Sequence, residues 1–200
     1  MKQPGEFAKD YVEKLKNVLD RLPWEAVDHV VQVLEEAYQR RNQIFVIGNG
    51  GSAATASHMM NDLCKGTVGH KGDAPWARFR VLALTDNVAL MTAWANDTDY
   101  DHIFSEPLKT LAQRGDVLVA ISASGNSPNI IAAVEAAKQI GVKVIGLAGF
   151  GGGKLAKLAD VAFVVASDEY GPVEDVHMIL DHIITSYLYD KLKEEDRHNR

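Results

Sequence analysis

Ser122, Ser124 and Ser127 fall within six residues, with Gly125 and Asn126 between them and Pro128 directly after. The apolar run Val117 to Ile121 ahead of them reads as a strand buried on both faces. Pro128 reads as the first turn of a helix capped by Ser127. Three hydroxyl donors, a bend at Gly125 and the positive potential of a helix N-terminus then converge, a phosphate cradle that uses no lysine. An ordinary serine-rich turn has the same composition, so this reading rests on the strand-loop-helix context.

Ionisable groups of interest sit on two other helical stretches. His58 and Asp62 are four apart and share a face, a spacing that suits two metal ligands, a base with its orienter, or a surface pair. Near the C-terminus Glu174, Asp175, His177, Asp181 and His182 crowd into nine residues with Val173, Val176, Met178, Ile179 and Leu180 among them. At ~100° per residue Glu174 and His182 lie ~80° apart around the helix, close enough to converge on one ligand. The apolar flanks bury this helix, so its polar groups either pair structurally or form a site.

The elements that must position these groups follow from periodicity. Apolar residues recur at helical spacing from Glu6 to Leu22 and again from Pro23 to Tyr38, two amphipathic helices (about residues 6–41) ahead of the first strand. They can cover the sheet or pack against another subunit. Gln43 to Ile47 is the first strand, followed by Gly48-Asn49-Gly50-Gly51-Ser52-Ala53 and a helix to about Lys65. That turn matches the G-x-G-x-x-A form of a dinucleotide fingerprint, but the next strand, Val81 to Leu84, has only Asp86 as its nearest acid, so no nucleotide cofactor is expected. Gly66 to Arg80 lacks periodicity and carries Lys65, His70, Lys71, Arg78 and Arg80 against Asp73. It reads as a mobile basic loop able to approach an anion, or as a solvated one. Helices are expected around Val88 to Ala95, Ile103 to Ala112 and Asn129 to Ile140, strands at Lys143 to Ala148 and Val161 to Ala166, and a long helix from Pro172 to about Lys193. The alternation predicts one domain, a three-layer α/β/α sandwich on a five-stranded parallel sheet. Ligands then bind beyond the carboxyl ends of the strands, which puts Asn49, Gly50, Gly51 and Ser52 on one edge with Ser122, Ser124 and Ser127.

With 200 residues, 46% of them hydrophobic, the chain can bury a full core. Cys64 is the one cysteine, which excludes an internal disulfide framework. No apolar stretch approaches the roughly 20 residues of a membrane span, and the N-terminus lacks the core of a signal peptide, so a cytoplasmic address is expected. A net charge of −6 argues against general nucleic-acid binding, and an anionic ligand must be met locally.

Together these segments resemble the sugar isomerase (SIS) domain family, and within it the phosphoheptose isomerases, which interconvert sedoheptulose 7-phosphate and a mannoheptose phosphate. The resemblance runs through the paired N-terminal helices, Gly48 to Ser52, Asn96-Asp97, Gly115-Asp116-Val117-Leu118, Ser122 to Ser127 and the His-bearing terminal helix. It implies a homotetramer with sites at subunit contacts, a phosphosugar held by Ser122, Ser124 and Ser127, and further substrate contacts at Ser52 and Asp97. The family's catalytic or zinc-binding set falls on His58, Asp62, Glu174 and His182, where the family has glutamate at the second position and glutamine at the third. Asp62 reaches ~1 to 1.5 Å less far than glutamate, and Glu174 adds a charge and a possible base. The four still make a two-His, two-carboxylate set for a divalent metal such as zinc. The resemblance assigns Glu174 or Asp62 as base, His182 as its acid/base partner, and His58 as metal ligand or orienter. A related branch, replication-initiation regulators that bind an initiator protein, is similar at Thr85-Asp86-Asn87-Val88 and Ala95-Asn96-Asp97 but lacks the second histidine of the terminal helix. His182 therefore favours chemistry, and a module that only senses a sugar phosphate is a third reading.

Overall fold

The computed structural model describes residues 2–69 and 72–198, so His70 and Lys71 of the basic loop lie outside the described residues. Five strands form one parallel sheet: β1 (Gln43–Gly48), β2 (Arg80–Ala83), β3 (Val117–Ser122), β4 (Lys143–Ala148) and β5 (Val161–Val164). Their spatial order is β2-β1-β3-β4-β5. Every residue of β3 is buried, which is why the strand reads as an uninterrupted apolar run.

Eight α-helices accompany the sheet among the described residues: α1 (Pro4–Leu19), α2 (Trp24–Arg40), α3 (Gly51–Lys65), α4 (Val88–Asp97), α5 (Ser105–Leu111), α6 (Pro128–Ile140), α7 (Gly153–Leu158) and α8 (Tyr170–His198). One face of the sheet packs on α2, α3 and α8 through residues such as Leu34, Met59, Leu63, Leu180 and Ile184. The other face packs on α5, α6 and α7 through Leu108, Ile130, Val134 and Leu155. These are the three expected layers. Of the N-terminal pair, α2 covers the sheet, whereas α1 buries only Val18 and rides on α8, to which Tyr11 donates a hydrogen bond at Asp175 Oδ2 (2.5 Å). Helix α7 was hidden in the sequence because it starts inside the glycine run at Gly153. No described helix is long and apolar enough to cross a membrane.

The carboxyl edge is held together by backbone crossing backbone. Ala123 O accepts from Gly149 N (2.8 Å) and Gly125 O from Leu155 N (2.9 Å), which lashes the serine loop to the glycine run after β4. A Cβ at Gly125 would stand 2.1 Å from Gly152 O, and its φ of +64° is itself unfavourable for other residues. Gly125→Ala is expected to cost at least ~2 kcal/mol in urea unfolding, because neither loop can move without breaking these bonds. A loss below ~0.5 kcal/mol would show that the crossing is slack.

Candidate active site

The strand order reverses direction between β1 and β3, and the crevice beyond their carboxyl ends is where a doubly wound sheet binds ligands. The two loops that flank it are stitched by a reciprocal amide pair: Asn49 Nδ2 donates to Asn129 Oδ1 and Asn129 Nδ2 to Asn49 Oδ1, both at 2.8 Å. Tyr100 Oη adds a third donor at Asn49 Oδ1 (3.2 Å). Ser127 occupies the N-cap position of α6, yet its hydroxyl does not cap the helix and instead stands 3.1 Å from Ser122 Oγ. The expected cap is therefore corrected: two hydroxyls face each other across the loop, at the positive end of a 13-residue helix. Ser124 Oγ accepts from Asn126 N (3.3 Å). Ser52 is buried in the first turn of α3, and Asp97 closes α4 with its carboxylate accepting from Asn96 (2.8 Å).

Helices α3 and α8 bring the imidazoles together. His182 Nε2 lies 3.2 Å from His58 Nε2, and Asp62 Oδ2 lies 3.4 Å from His58 Nε2 and 3.9 Å from His182 Nε2. Ligand atoms of a tetrahedral zinc are about 3.3 Å apart at ordinary bond lengths. The three separations fit that ion, with room for a fourth ligand, and the shorter side chain at Asp62 reaches the cluster. The other carboxylate oxygen, Asp62 Oδ1, accepts from Asn61 Nδ2 (3.0 Å).

Glu174, expected to share a ligand with these three, stands apart from the trio. The helical wheel gave its angle relative to His182 but not the ~12 Å of axial rise that eight residues impose. Its carboxylate lies instead over Gly51, where a Cβ would be 2.7 Å from Glu174 Oε2. That is the first turn of α3, whose dipole favours a negative charge.

Beneath the trio runs a buried polar stripe that periodicity did not single out. His177, Asp181 and Thr185 are spaced four apart on α8, and His177 Nδ1, both carboxylate oxygens of Asp181 and Thr185 Oγ1 are buried with no hydrogen bond of good geometry among the described residues. Burial pushes Asp181 up to about 7, the Asp62 charge adds to the rise, and the Thr185 hydroxyl acts against both. Burial lowers His177 to about 4, opposed by its contact with Ala148 O.

The basic loop departs from expectation in its described part. Thr67 and Val68 are buried in a 3₁₀ turn, Trp76 Nε1 donates to Thr67 O (2.9 Å), and Phe79 joins the core. Arg80 Nη1 donates to Arg41 O (2.8 Å) and Arg41 Nη1 to Arg78 O, at the edge of the sheet opposite the serines. Arg80 is thereby held at the amino edge, and Arg78 Nη2 donates to Gly72 O (2.8 Å) within its own loop. Asn129 and Tyr100 were missed; the first was legible only as a polar residue one place after Pro128, and the second carried no signal.

The family model described as SIS domain matches residues 7–149. The chain is 36% identical over 167 residues to the phosphoheptose isomerase of Rhodospirillum rubrum, a match that covers 84% of this chain and 86% of that one. Among solved structures, a phosphoheptose isomerase from Francisella tularensis superposes with a TM-score of 0.85 at 26% identity, covering 94% of this chain and 100% of that one. The phosphoheptose isomerase of Neisseria gonorrhoeae gives 0.82 at 30%, covering 92% and 97%.

Two measurements check the site. Competition against a fluorescent chelator should show His58→Ala and His182→Ala losing zinc affinity at least ~100-fold, with Glu174→Gln unchanged; an equal loss in Glu174→Gln would place that residue among the ligands. In metal-free protein the folded chain holds the Asp181 proton more tightly than the unfolded chain, so stability falls as pH rises from about 4 to about 7. His177 acts in the opposite sense, its contribution being lost as pH falls from 6.5 to about 4. Asp181→Asn should therefore be more stable than the parent by on the order of 2–4 kcal/mol at pH 8, with the gain shrinking toward pH 4. A pH-independent difference would contradict the burial of that carboxyl.

Proposed function

The chain belongs to the SIS domain family, and from that membership we propose that it is a phosphosugar isomerase interconverting sedoheptulose 7-phosphate and its aldose phosphate. The convergence of His58, Asp62 and His182 is the observation that carries this reading. An aldose-ketose isomerase moves a proton between adjacent carbons through an enediol, so base and hydroxyl-proton carrier must reach neighbouring atoms. Asp62 and His182 are 3.9 Å apart and meet that condition, whereas Glu174 lies too far along α8 to serve the same two carbons as His182. Asp62 is therefore the base, His182 passes the proton between the C1 and C2 oxygens, and His58 orients the pair. Zinc held by the trio would instead polarise the substrate oxygens, taking the place of proton transfer by His182 Nε2, whose lone pair it would occupy. Glu174, over Gly51, is free to accept from a sugar hydroxyl, and the serine loop holds the phosphate through Ser122, Ser124 and Ser127.

Phosphate binding far from the reacting carbons positions the open chain, so loss of a loop hydroxyl weakens binding more than it slows the chemistry. The trio itself is open, with the His58 and His182 side chains 41% and 55% exposed. Enediol chemistry benefits from excluded water, and a homotetramer supplies the cover. Its contact surface includes α4, in which Val88, Leu90 and Trp94 sit on a helix with no buried residue. A cytoplasmic location suits a free phosphosugar substrate. A scaffold that only bound an initiator protein would have no use for two imidazoles converging on a carboxylate.

Turnover of sedoheptulose 7-phosphate should fall at least ~10³-fold in His182→Ala and in Asp62→Asn, while Ser124→Ala raises KM about tenfold with kcat little changed. Light scattering should give a tetramer that Trp94→Glu drives toward smaller species. Wild-type protein that turns over no ketose phosphate, with or without zinc, would overturn the isomerase reading.

A further inference from the structure

We propose that the amino-terminal edge of the sheet carries a second anion site, an arginine-lined cleft that takes the phosphates of a diphosphate-bearing small molecule. The cleft has a volume of about 350 Å³, a size typical of small-molecule sites, and lies between the starts of β1, β2 and β3, across the sheet from the serine loop. Arg41, Arg80 and Arg114 line it, with the carboxamides of Asn42 and Gln113 between them. These are three of the eight arginines in a chain of net charge −6.

Charges already present do not fully neutralise that cluster. Among the described residues Asp116 is the one acid lining the cleft, and its two oxygens accept from Gln43 N and Gln113 N, both at 2.8 Å. Helices α2, α5 and α6 end here and add roughly half a negative charge each. Together they offset most of the charge of the three guanidiniums, so an anion held here is gripped by the guanidinium donors themselves. Planar guanidiniums pair with phosphate oxygens two at a time, which favours phosphate over a single carboxylate.

The arginines are also held in place. Arg41 adopts φ 60° at the C-cap of α2, a position where glycine is the usual solution, and it is tied to β2 from both sides: its carbonyl accepts from Arg80 Nη1 and its own Nη1 donates to Arg78 O. Arg114 lies flat on the turn at Gly141, where a Cβ would be 3.3 Å from Arg114 Cζ. It makes no hydrogen bond or ion pair to any described residue, so its donors point to solvent at the mouth of the cleft. Leu82 and Leu111 form an apolar wall beside them, suited to the organic part of a ligand.

Calorimetric titration of the full chain with pyrophosphate and, separately, with ADP tests the site. Arg114→Gln, which removes no internal bond and should leave the unfolding midpoint unchanged, is expected to weaken both at least tenfold, and binding should fall as salt rises. Because the serine loop also takes phosphate, the titration is fitted to two sites, and Ser124→Ala should leave the one weakened by Arg114→Gln unchanged. Equal affinities would mean that the cleft reads phosphates alone, and tighter ADP binding that Leu82 and Leu111 hold the base; either supports the site. Absence of binding up to about 10 mM, or binding lost in Ser124→Ala rather than in Arg114→Gln, overturns it.

Discussion

The side-by-side packing of α3 against α8 is the contact on which the candidate chemistry depends. The two helices meet at three successive levels: Gly51 under Glu174, His58 and Asp62 beside His182, and Gly66, just past the end of α3, under Thr185. They run in the same direction and in step. Glycines stand at the first and last of these levels, where a Cβ would be 2.7 Å from Glu174 Oε2 or 2.8 Å from Thr185 Cγ2. A side chain at either end would wedge the helices apart, and the imidazoles midway would separate with them. Around the middle level Met59, Leu63, Leu180 and Ile184 share one core cluster, so the spacing of the trio is inherited from this packing and from the glycine levels on either side.

That inheritance explains the polar stripe below the trio. His177, Asp181 and Thr185 occupy the face of α8 turned toward the protein, where leucines at the same spacing would be expected from the flanking Val173, Val176 and Leu180. Four buried polar atoms without hydrogen bonds of good geometry are costly, each on the order of 1–3 kcal/mol. Because Asp181 is pushed up by burial and His177 pushed down, both are uncharged between roughly pH 4 and 7. Over that interval their opposed proton linkages largely cancel, so the interior face of the helix stays neutral.

Strands and loops were legible in the sequence because the strands are short apolar runs, with β1, β3 and β4 closed by glycine or serine, and the parallel order follows from alternation. The serine loop and the glycine turn fell on one edge for the same reason. What could not be read was the level at which one helix meets another. Period 3.6 assigns His58, Asp62, Glu174 and His182 to faces, but only tertiary packing decides that three of them share a level and the fourth stands over Gly51. Arg78 and Arg80 illustrate a second limit, since composition marked the loop as basic without revealing that Arg80 ties back to Arg41 at the amino edge and Arg78 to Gly72 within the loop. Helix α4 marks a third: Met91 and Ala95 pack on the core, but Val88 and Leu90 are exposed, and no pattern internal to the sequence could say what they face.

The two sheet edges treat anions by different means, and the direction of the helices gives the reason. In a parallel α/β sheet the helices that follow strands begin at the carboxyl edge and those that lead into strands end at the amino edge, so the carboxyl edge is electropositive before any side chain is added. A loop there can hold a phosphate with hydroxyls and backbone amides, which accounts for a serine cradle without lysine or arginine among residues 122 to 127. At the amino edge the helix dipoles oppose an anion, and only full positive charges can outweigh them. Three arginines line the cleft at that rim, where Arg41 and Arg80 are tied to backbone carbonyls and Arg114 is not, so an anion there is met by side-chain guanidiniums rather than by helix ends.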